Sequence, residues 1–405
     1  KSITDRIFEN NERLEKIVIP ETVDRIGNKS FIGCSSLTEV EWNPIGIQQI
    51  RDYEGSKLFS SALRSIKFGD KVEMLPDKFL SGCTALKEIT LPASLKTIGQ
   101  NAFEQCNSIT TLEIPDGVET LGRLAIYNCA KIEQVTIGEG LKTFDYYYFL
   151  AACPKLTTLK WNAVRTQSKE LDLYHTSDRC GAPIENFIVG EKVDYIPGQL
   201  FLNSTTLNNV VLGSSVTEIG SGAFRGCKAL TEINLPESLL AIDDNSFYNT
   251  GIKHIIIPGK VTHIGTWGLE GKSITQAILL PLKAPEGGSI SIGDELKMYV
   301  PDVAAYSNSP FTQYSKLLNP LAIADKDCFT QDEEAAVNFT CNIPDHTMTV
   351  TSMPELEKGL GEHMAIVEAE FCGEKTFTAK FVYNYCIKPS AGIDAVTGNG
   401  SLHGD

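Results

Sequence analysis

Apolar side chains recur at a regular spacing along the chain from Leu14 to Ile274. In the segment 86–108, Leu86, Ile89 and Leu91 form an L-x-x-I-x-L run, and Pro92 follows it. Alternation of apolar and polar positions predicts a short strand. Proline has no backbone N–H to donate, so it predicts the end of that strand. The next unit begins at Ile109.

Twelve such units align on their first aliphatic residue, and six of the eleven steps between them have the same length as the step from Leu86 to Ile109. The units open at Leu14, Leu37, Leu63, Leu86, Ile109, Ile132, Leu156, Ile184, Leu207, Leu230, Ile252 and Ile274. A period of roughly 23 residues is typical of a solenoid, because each unit buries its apolar face only by stacking on its neighbours. The sequence therefore predicts a solenoid of short parallel strands, turns and short helical segments.

The second half of each unit contains a glycine and then an A-F-x-x-C segment. We expect a corner with positive φ at the glycines, which are Gly27, Gly99, Gly122, Gly220 and Gly265. The A-F-x-x-C spacing predicts one helical turn with the Phe and Cys side chains facing inward.

Six cysteines fall at the same place near the end of a unit, and Ser204 and Thr250 take that place elsewhere. The six are Cys34, Cys83, Cys106, Cys129, Cys153 and Cys227. Side chains stacked in parallel point the same way, so we expect a ladder of small buried thiols rather than disulfides or a metal site.

The consensus L-x-x-I-x-I-P-x-x-V-x-x-I-G-x-x-A-F-x-x-C is followed closely by residues 86–106, 109–129 and 207–227. It resembles the BspA-like class of bacterial leucine-rich repeats found in surface proteins of Bacteroidetes. The resemblance extends from residue 14 to roughly residue 320. It implies a leucine-rich-repeat protein of the cell surface that takes part in adhesion, and it does not indicate which ligand is bound.

The repeat pattern ends after Ile274. Residues 274–321 predict a closing segment, with a strand and then a helix or turns, which shields the last coil from water. Residues 322–390 lack the repeat, and apolar and polar positions alternate in several short runs. This pattern predicts a small β-sandwich-like domain, which serves as a spacer or an anchor. Residues 391–405 are rich in Gly, Ser and Asp and predict a flexible tail. The predicted organisation is therefore a solenoid over 1–321, a β-domain over 322–390 and a tail.

The β-domain contains four cysteines whose pairing the sequence leaves open, since four cysteines allow three connectivities. They are Cys328, Cys341, Cys372 and Cys386.

The net charge of −15 argues against nucleic acid and anionic membranes as partners, because both attract a basic surface. No apolar run approaches the length of a membrane span. The chain does not begin with Met, and we expect a processed or truncated N-terminus from which a signal segment has been lost.

The first candidate binding site is an aromatic bulge. The long units that open at Leu37 and Leu156 carry Trp42 and Trp161 at inward positions, and their extra residues predict outward loops. Tyrosines and charged residues cluster around the second loop: Tyr146, Tyr147, Tyr148, Tyr174, His175, Arg165 and Arg179. Such a cluster suits a protein or glycan ligand. Alternatively, the tyrosines cover a wider coil and have no ligand.

The second candidate is a row of outward aliphatic residues on successive strands: Ile188, Val211, Ile256 and Ile278. A contiguous apolar patch often marks an interaction site. The alternative is that β-branched residues simply suit strands.

The sequence contains no glycine-rich phosphate loop, H-E-x-x-H motif or G-x-S-x-G motif. A Cys180–His175 nucleophilic pair lacks an orienting group, and a hydrolase in the β-domain would need a cleft lined by Asp327, Glu333 or His346. We therefore predict a cell-surface or secreted binding scaffold without catalytic activity, cofactor or metal, which adheres to a host protein or glycan through the solenoid surface. The alternative is a structural component of a cell-surface assembly without a soluble ligand.

Overall fold

The structure of the protein is a computed structural model. It describes residues 1–27, 29–47, 57–144, 150–168, 180–270, 273–287, 296–307, 311, 316–324, 329–330, 339–343, 346–352, 361–373 and 375–386. In these ranges the chain is a succession of coils built from short strands, with one five-residue helix and a C-terminal pair of sheets. The predicted tail, residues 391–405, lies outside the described residues.

The strands of the solenoid are, in chain order, β1 (Ser2–Ile3), β2 (Lys16–Ile19), β3 (Arg25–Ile26), β4 (Glu39–Trp42), β5 (Ser65–Phe68), β6 (Met74–Leu75), β7 (Thr97–Ile98), β8 (Thr111–Glu113), β9 (Thr120–Leu121), β10 (Gln134–Ile137), β11 (Thr143–Phe144), β12 (Thr158–Trp161), β13 (Gln167–Ser168), β14 (Asn186–Val189), β15 (Tyr195–Ile196), β16 (Asn209–Val211), β17 (Glu218–Ile219), β18 (Ala241–Ile242), β19 (His254–Ile257), β20 (His263–Ile264), β21 (Gln276–Leu279), β22 (Lys297–Val300) and β23 (Leu318–Pro320). The helix α1 (Val303–Ser307) precedes β23. The remaining strands are β24 (Ala322–Ala324), β25 (Phe329–Thr330), β26 (Phe339–Cys341), β27 (Met348–Ser352), β28 (Gly361–Phe371) and β29 (Lys375–Cys386).

Most coils contribute a long strand of three or four residues to one side and a two-residue strand to another, and both kinds pair in parallel with the same kind in the next coil. For example, Val135 of β10 lies between Leu112 of β8 and Leu159 of β12. Alternate residues of the long strands are buried. The predicted leucine-rich-repeat solenoid of parallel strands is thus confirmed.

The long-strand side is interrupted twice. Its sheets are β2-β4-β5, then β8-β10-β12-β14-β16, then β19-β21-β22-β23. The coils at residues 86–92 and 230–236, both within the described ranges, contribute no strand between these sheets. The short-strand ladder is continuous past both coils, through β6-β7-β9 and β17-β18-β20. Both coils are therefore hydrogen-bonded to their neighbours through the short-strand ladder, whereas they form no ladder on the long-strand side.

The third side of each coil is a run of turns with two left-handed residues four positions apart. Their φ angles lie between 53° and 78° at Arg6 and Asn10, Lys29 and Gly33, Lys78 and Gly82, Asn101 and Gln105, Leu124 and Asn128, Gln199 and Asn203, Gly222 and Gly226, and Asn245 and Asn249. The A-F-x-x-C segment therefore differs from the single helical turn expected, although Phe103 and Cys106 do face inward. Asn or Gly directly before the Cys position is the sequence signal for the second left-handed residue in most of these coils, since both residues tolerate the conformation, and Gln105 is the exception.

The corner glycines are explained by close stacking rather than by positive φ. None of the five, Gly27, Gly99, Gly122, Gly220 and Gly265, adopts a left-handed backbone conformation. A Cβ atom on Gly27 would clash with the backbone of Asp5, and one on Gly265 with the backbone of Asp244. The expectation of positive φ at these corners is wrong, because the lack of a side chain is needed for the approach of the preceding coil.

Aromatic rings fill the interior of the solenoid. Phe201, Phe224 and Phe247 form a stacked column, with centroids 6.1 Å and 5.6 Å apart and ring planes 4° and 14° from parallel. Trp42 and Trp161 are fully buried, as their inward positions in the two long units predict.

The six repeat cysteines are buried and form no disulfide. The thiols of Cys106, Cys129 and Cys227 each donate to a backbone carbonyl of the preceding coil, at sulfur-to-oxygen distances of 3.1–3.3 Å. Burial raises the pKa of the Cys83 thiol to about 12, against a countering effect of Lys57. Burial also raises the pKa of the Cys106 thiol, so Cys83 and Cys106 are poor nucleophiles in the folded protein.

We expect Cys83 and Cys106 to resist a thiol reagent until the protein unfolds. A pKa of about 12 instead of 9.0 leaves roughly 1,000-fold less thiolate on Cys83 at about pH 8. Cys372, which is exposed, serves as the reactive control in the native protein. Mass spectrometry of protein labelled before and after guanidinium unfolding measures the difference. Rapid labelling of Cys83 or Cys106 in the folded protein would contradict this prediction.

The C-terminal strands pack onto the solenoid. Strands β24 and β26 pair antiparallel, and β25-β29-β28-β27 form a second sheet built on the β28–β29 hairpin. Val367 and Phe371 of β28 bury Ile278 and Tyr299 on the outward side of β21 and β22. The small all-β unit is present as predicted, and it is docked against the long-strand side.

Candidate functional site

Two grooves lie on the long-strand side, each at one of the two interruptions. The larger, which we call the strand-face groove, has a volume of about 690 Å³, and it is lined by Asn208, Asn209, Val210, Glu232, Ile233, Asn234, Leu235, His254, Ile256, Gln276, Ile278, His346 and Lys375. The smaller, of about 470 Å³, surrounds Ile89, Thr90 and Leu91 of the other interrupted coil.

The two interrupted coils share the sequence L-P-x-S-L, at residues 91–95 and 235–239. In both, the serine hydroxyl donates to a valine carbonyl of the preceding coil: Ser94 to Val72 at 2.7 Å, and Ser238 to Val216 at 2.6 Å. The inward residue of each missing strand, Ile89 or Ile233, is only partly buried. The recurring L-P-x-S-L is the sequence signal that accompanies the grooves, whereas the repeat spacing alone does not distinguish these two coils from the others.

The strand-face groove has amide and imidazole side chains along one edge. These belong to the first outward position of successive coils. The Asn209 amide donates to Asn186 Oδ1 at 3.0 Å, and His254 Nδ1 lies 2.8 Å from Gln276 Oε1. Each amide has both a donor and an acceptor, so this edge can bond to peptide groups or hydroxyls.

The docked C-terminal sheet forms the opposite wall. The buried ammonium of Lys375 donates to the Leu235 carbonyl at 2.6 Å, and it lies 3.7 Å from Glu237. Partial burial raises the pKa of Glu237, and Lys375 opposes that rise. His346 stacks on Phe371 with ring centroids 5.3 Å apart. Lys375 therefore fastens the sheet to the interrupted coil, whose carbonyl is not used by a strand.

The predicted aliphatic row has two environments. Ile188 pairs in register with Val211, and Ile256 with Ile278. Val211 is 49% exposed, and Ile188 is half-buried. Ile278 is only 2% exposed, because the C-terminal sheet covers it, and Ile256 is partly buried against the same cluster. Very little of the Ile278 side chain is therefore exposed at the groove, and the apolar signal there reflects docking within the chain.

Arg165 is the member of the predicted aromatic bulge whose side chain is described. Its guanidinium lies 3.3 Å from Asp194, donates to Glu218 at 2.6 Å, and sits 5.1 Å above the Tyr195 ring. These contacts hold it on the short-strand side. The other members, Tyr146, Tyr147, Tyr148, Tyr174, His175 and Arg179, lie outside the described residues, and their role stays a prediction.

The described residues contain no group of three His, Cys, Asp or Glu side chains arranged to hold a metal ion. His346 lines the strand-face groove, whereas Asp327, Glu333 and His175 lie outside the described ranges. Within those ranges, no helix has the length and hydropathy of a membrane span.

The cysteines of the C-terminal unit are described in part. Cys341 and Cys372 form no disulfide. Cys328 and the side chain of Cys386 lie outside the described part of the chain.

Comparison with solved structures returns bacterial repeat proteins. A leucine-rich repeat protein from Bacteroides ovatus is 21% identical over 74% of this chain and 81% of its own, with a TM-score of 0.39. The leucine-rich repeat protein of T. pallidum is 24% identical over 42% of this chain and 75% of its own, with a TM-score of 0.34. A leucine-rich repeat protein from Eubacterium ventriosum is 19% identical over 62% and 81%, with a TM-score of 0.37. At these values the similarities assign neither a ligand nor a location.

No curated protein matches the sequence significantly. The family profile described as "BspA type Leucine rich repeat region" matches six copies, over residues 1–60, 54–170 and 179–282. These segments cover more than half of the chain and carry the strands, turns and buried positions described above. The chain therefore belongs to the BspA-type leucine-rich repeat family.

Proposed function

We propose that this protein is a non-catalytic binding scaffold, displayed on a cell surface or secreted, that holds an extended polypeptide segment of a host protein in the strand-face groove. The observation that carries the proposal is the groove itself, which combines an interruption of the sheet with a second wall formed by the docked C-terminal sheet. A preformed cleft reduces the conformational entropy lost on binding.

An extended polypeptide matches the chemistry of the groove. Among the described residues, the interrupted coil at 230–236 forms no ladder with β16 or β19, so a polypeptide that crosses the coils can form hydrogen bonds with its backbone. Asn209, Asn234 and Gln276 add amide donors and acceptors, while Ile233 and Ile256 form an apolar floor.

The length of the groove agrees with this ligand. It crosses four successive coils, from Asn209 to Gln276, and neighbouring strands lie roughly 4.8 Å apart. The groove therefore spans on the order of 14 Å, which corresponds to about four residues of an extended chain at roughly 3.3 Å per residue.

Filling the groove tests the proposal. Asn234 is exposed and occupies the outward position of the interrupted coil, so Asn234→Trp should block the groove without disturbing the core. Val18→Trp places the same side chain at the equivalent position of β2, far along the row. In a binding screen against immobilised extracellular-matrix proteins, we expect at least tenfold weaker binding of N234W, about 1.4 kcal/mol, and unchanged binding of V18W.

The other outcomes separate the alternatives. A Tyr146/Tyr147/Tyr174 triple alanine variant in the same screen tests the aromatic bulge. If this variant loses binding and N234W does not, the binding site is the aromatic bulge and not the strand-face groove. Absence of any protein ligand, together with self-association of the purified chain, would favour the structural component of a surface assembly.

A further inference from the structure

An exposed cluster of aromatic rings lies on the turn side of the solenoid, away from the strand-face groove. It consists of Arg225, Tyr248 and Trp267, from three successive coils, and we call it the turn-side patch. The Arg225 guanidinium sits 5.1 Å above the Tyr248 ring. The Tyr248 and Trp267 ring centroids are 6.4 Å apart, with planes 51° from parallel. Trp267 is 49% exposed, unlike the fully buried Trp42 and Trp161.

Trp267 has an unfavourable backbone conformation for its side chain. Its φ is +57°, and the equivalent left-handed position of the two preceding coils holds Asn245 and Gly222. A residue with a Cβ atom loses roughly 1–2 kcal/mol in this conformation, and bulky residues adopt it rarely. Because half of the ring faces solvent, core packing does not explain the presence of tryptophan here. Lys78, Leu124 and Gln199 adopt the same conformation at this position in other coils, so the backbone angle belongs to the repeat, and the exposed aromatic ring is what distinguishes Trp267.

Polar residues lie on the same turns as the rings. Asn245 and Asn249 belong to the same coil as Tyr248, and the Asn249 backbone N–H donates to the Glu270 carbonyl at 2.9 Å. The Asn249 side chain is exposed, and those of Asn245 and Glu270 are half-buried. An apolar ring face with amide groups on the same turns suits a ligand that has C–H faces and a rim of hydroxyls.

The size of the patch distinguishes between ligand classes. A tryptophan buries on the order of 150–250 Å² when it is covered, so the half-exposed Trp267 offers about 100 Å². A stable protein interface covers roughly 800 Å² on each partner. The patch therefore matches one or two sugar rings better than a protein surface. The net charge of −15 disfavours polyanionic chains, which leaves neutral saccharides.

We propose that the turn-side patch binds neutral glycans, with the Trp267 indole stacked on a pyranose ring and the Asn245 and Asn249 amides bonding to its hydroxyls. The site stands apart from the strand-face groove, and neither depends on the other.

Trp267→Asn provides the test, because asparagine is the natural residue at the same backbone position in Asn101 and Asn245. If Trp267 had only a structural role, its removal would lower the melting temperature. A binding role predicts an unchanged or higher melting temperature, since Asn tolerates the left-handed conformation, together with loss of glycan binding.

The measurement is a glycan array of neutral and sulfated glycans, probed with the wild-type chain, W267N and N234W. We expect the wild type and N234W to bind neutral glycans and W267N to lose at least tenfold in signal. Titration of the wild type with the best neutral oligosaccharide should shift the tryptophan fluorescence, because Trp267 is the exposed member of the three tryptophans. Wild-type binding by W267N, preference for sulfated glycans, or absence of neutral-glycan binding would overturn the proposal.

Discussion

Replacement of Phe224 by alanine is expected to lower the free energy of unfolding by about 4 kcal/mol, the largest of the effects expected for this chain. Phe224 is fully buried, and it contacts three other rings: Phe201, Phe247 and Phe187, the last with centroids 6.5 Å apart. Loss of the ring leaves a cavity and removes stacking worth roughly 0.5–1.5 kcal/mol per aromatic pair.

The position of Phe224 in a solenoid increases the consequence of the change. Each coil contacts only its neighbours, so stability is close to a sum of coil and interface contributions. A cavity in an interior coil weakens two interfaces at once. Urea unfolding followed by circular dichroism measures the change, with Phe224→Leu as the more conservative control and Val211→Ala as the exposed one. A loss below about 1 kcal/mol for F224A would show that the column does not carry the expected energy.

Replacement of Lys375 by methionine is expected to weaken the docking of the C-terminal sheet by about 2 kcal/mol, the cost of losing a hydrogen bond from a buried charged donor. The Lys375 side chain is 8% exposed and is bonded to the Leu235 carbonyl. Methionine keeps most of its volume and removes the donor. Hydrogen exchange of β28 and β29 reports the docking, and Lys131→Met, at an exposed position, is the matched control.

The effect of Lys375→Met should depend on pH through Glu237. Burial raises the pKa of this carboxyl, and Lys375 lowers it, so the variant has a still higher folded-state pKa. When the pKa of a carboxyl is higher in the folded state than in the unfolded state, its ionised form destabilises the folded protein at pH values above both pKa values. This destabilisation disappears as the carboxyl becomes protonated at lower pH. The difference between K375M and the wild type should therefore be largest near neutral pH and should shrink on acidification towards the ordinary carboxyl range. A difference that grows on acidification would exclude this role of Glu237.

The period of the apolar pattern determines most of the solenoid. Leu112, Val135 and Leu159 recur at the repeat spacing, and they occupy stacked inward positions as expected. The prediction succeeds here because a coil has no other way to bury these side chains. The same reasoning failed at Gly265, because a glycine that permits close stacking and one that permits positive φ look identical in a sequence.

The candidate sites were harder to predict, since they depend on contacts between distant parts of the chain. Ile278 has the pattern of a surface residue in its own strand, and the strand that buries it, β28, begins only at Gly361, in a segment without the repeat. Lys375 contacts Leu235 from far along the chain, and no local pattern indicates such a pair. Nothing in the sequence around Trp267 indicates its backbone angle or its exposure.

The interruption between β16 and β19 has a mechanical consequence for the solenoid. Hydrogen bonds between coils run along the axis of the solenoid, so a pulling force along this axis is shared among the bonds of each interface. At residues 230–236 the long-strand bonds are missing, and the short-strand ladder and the turns bear the load. Tension therefore widens this interface before the fully bonded ones. Because the strand-face groove lies at that interface, pulling on the chain changes the width of the cleft.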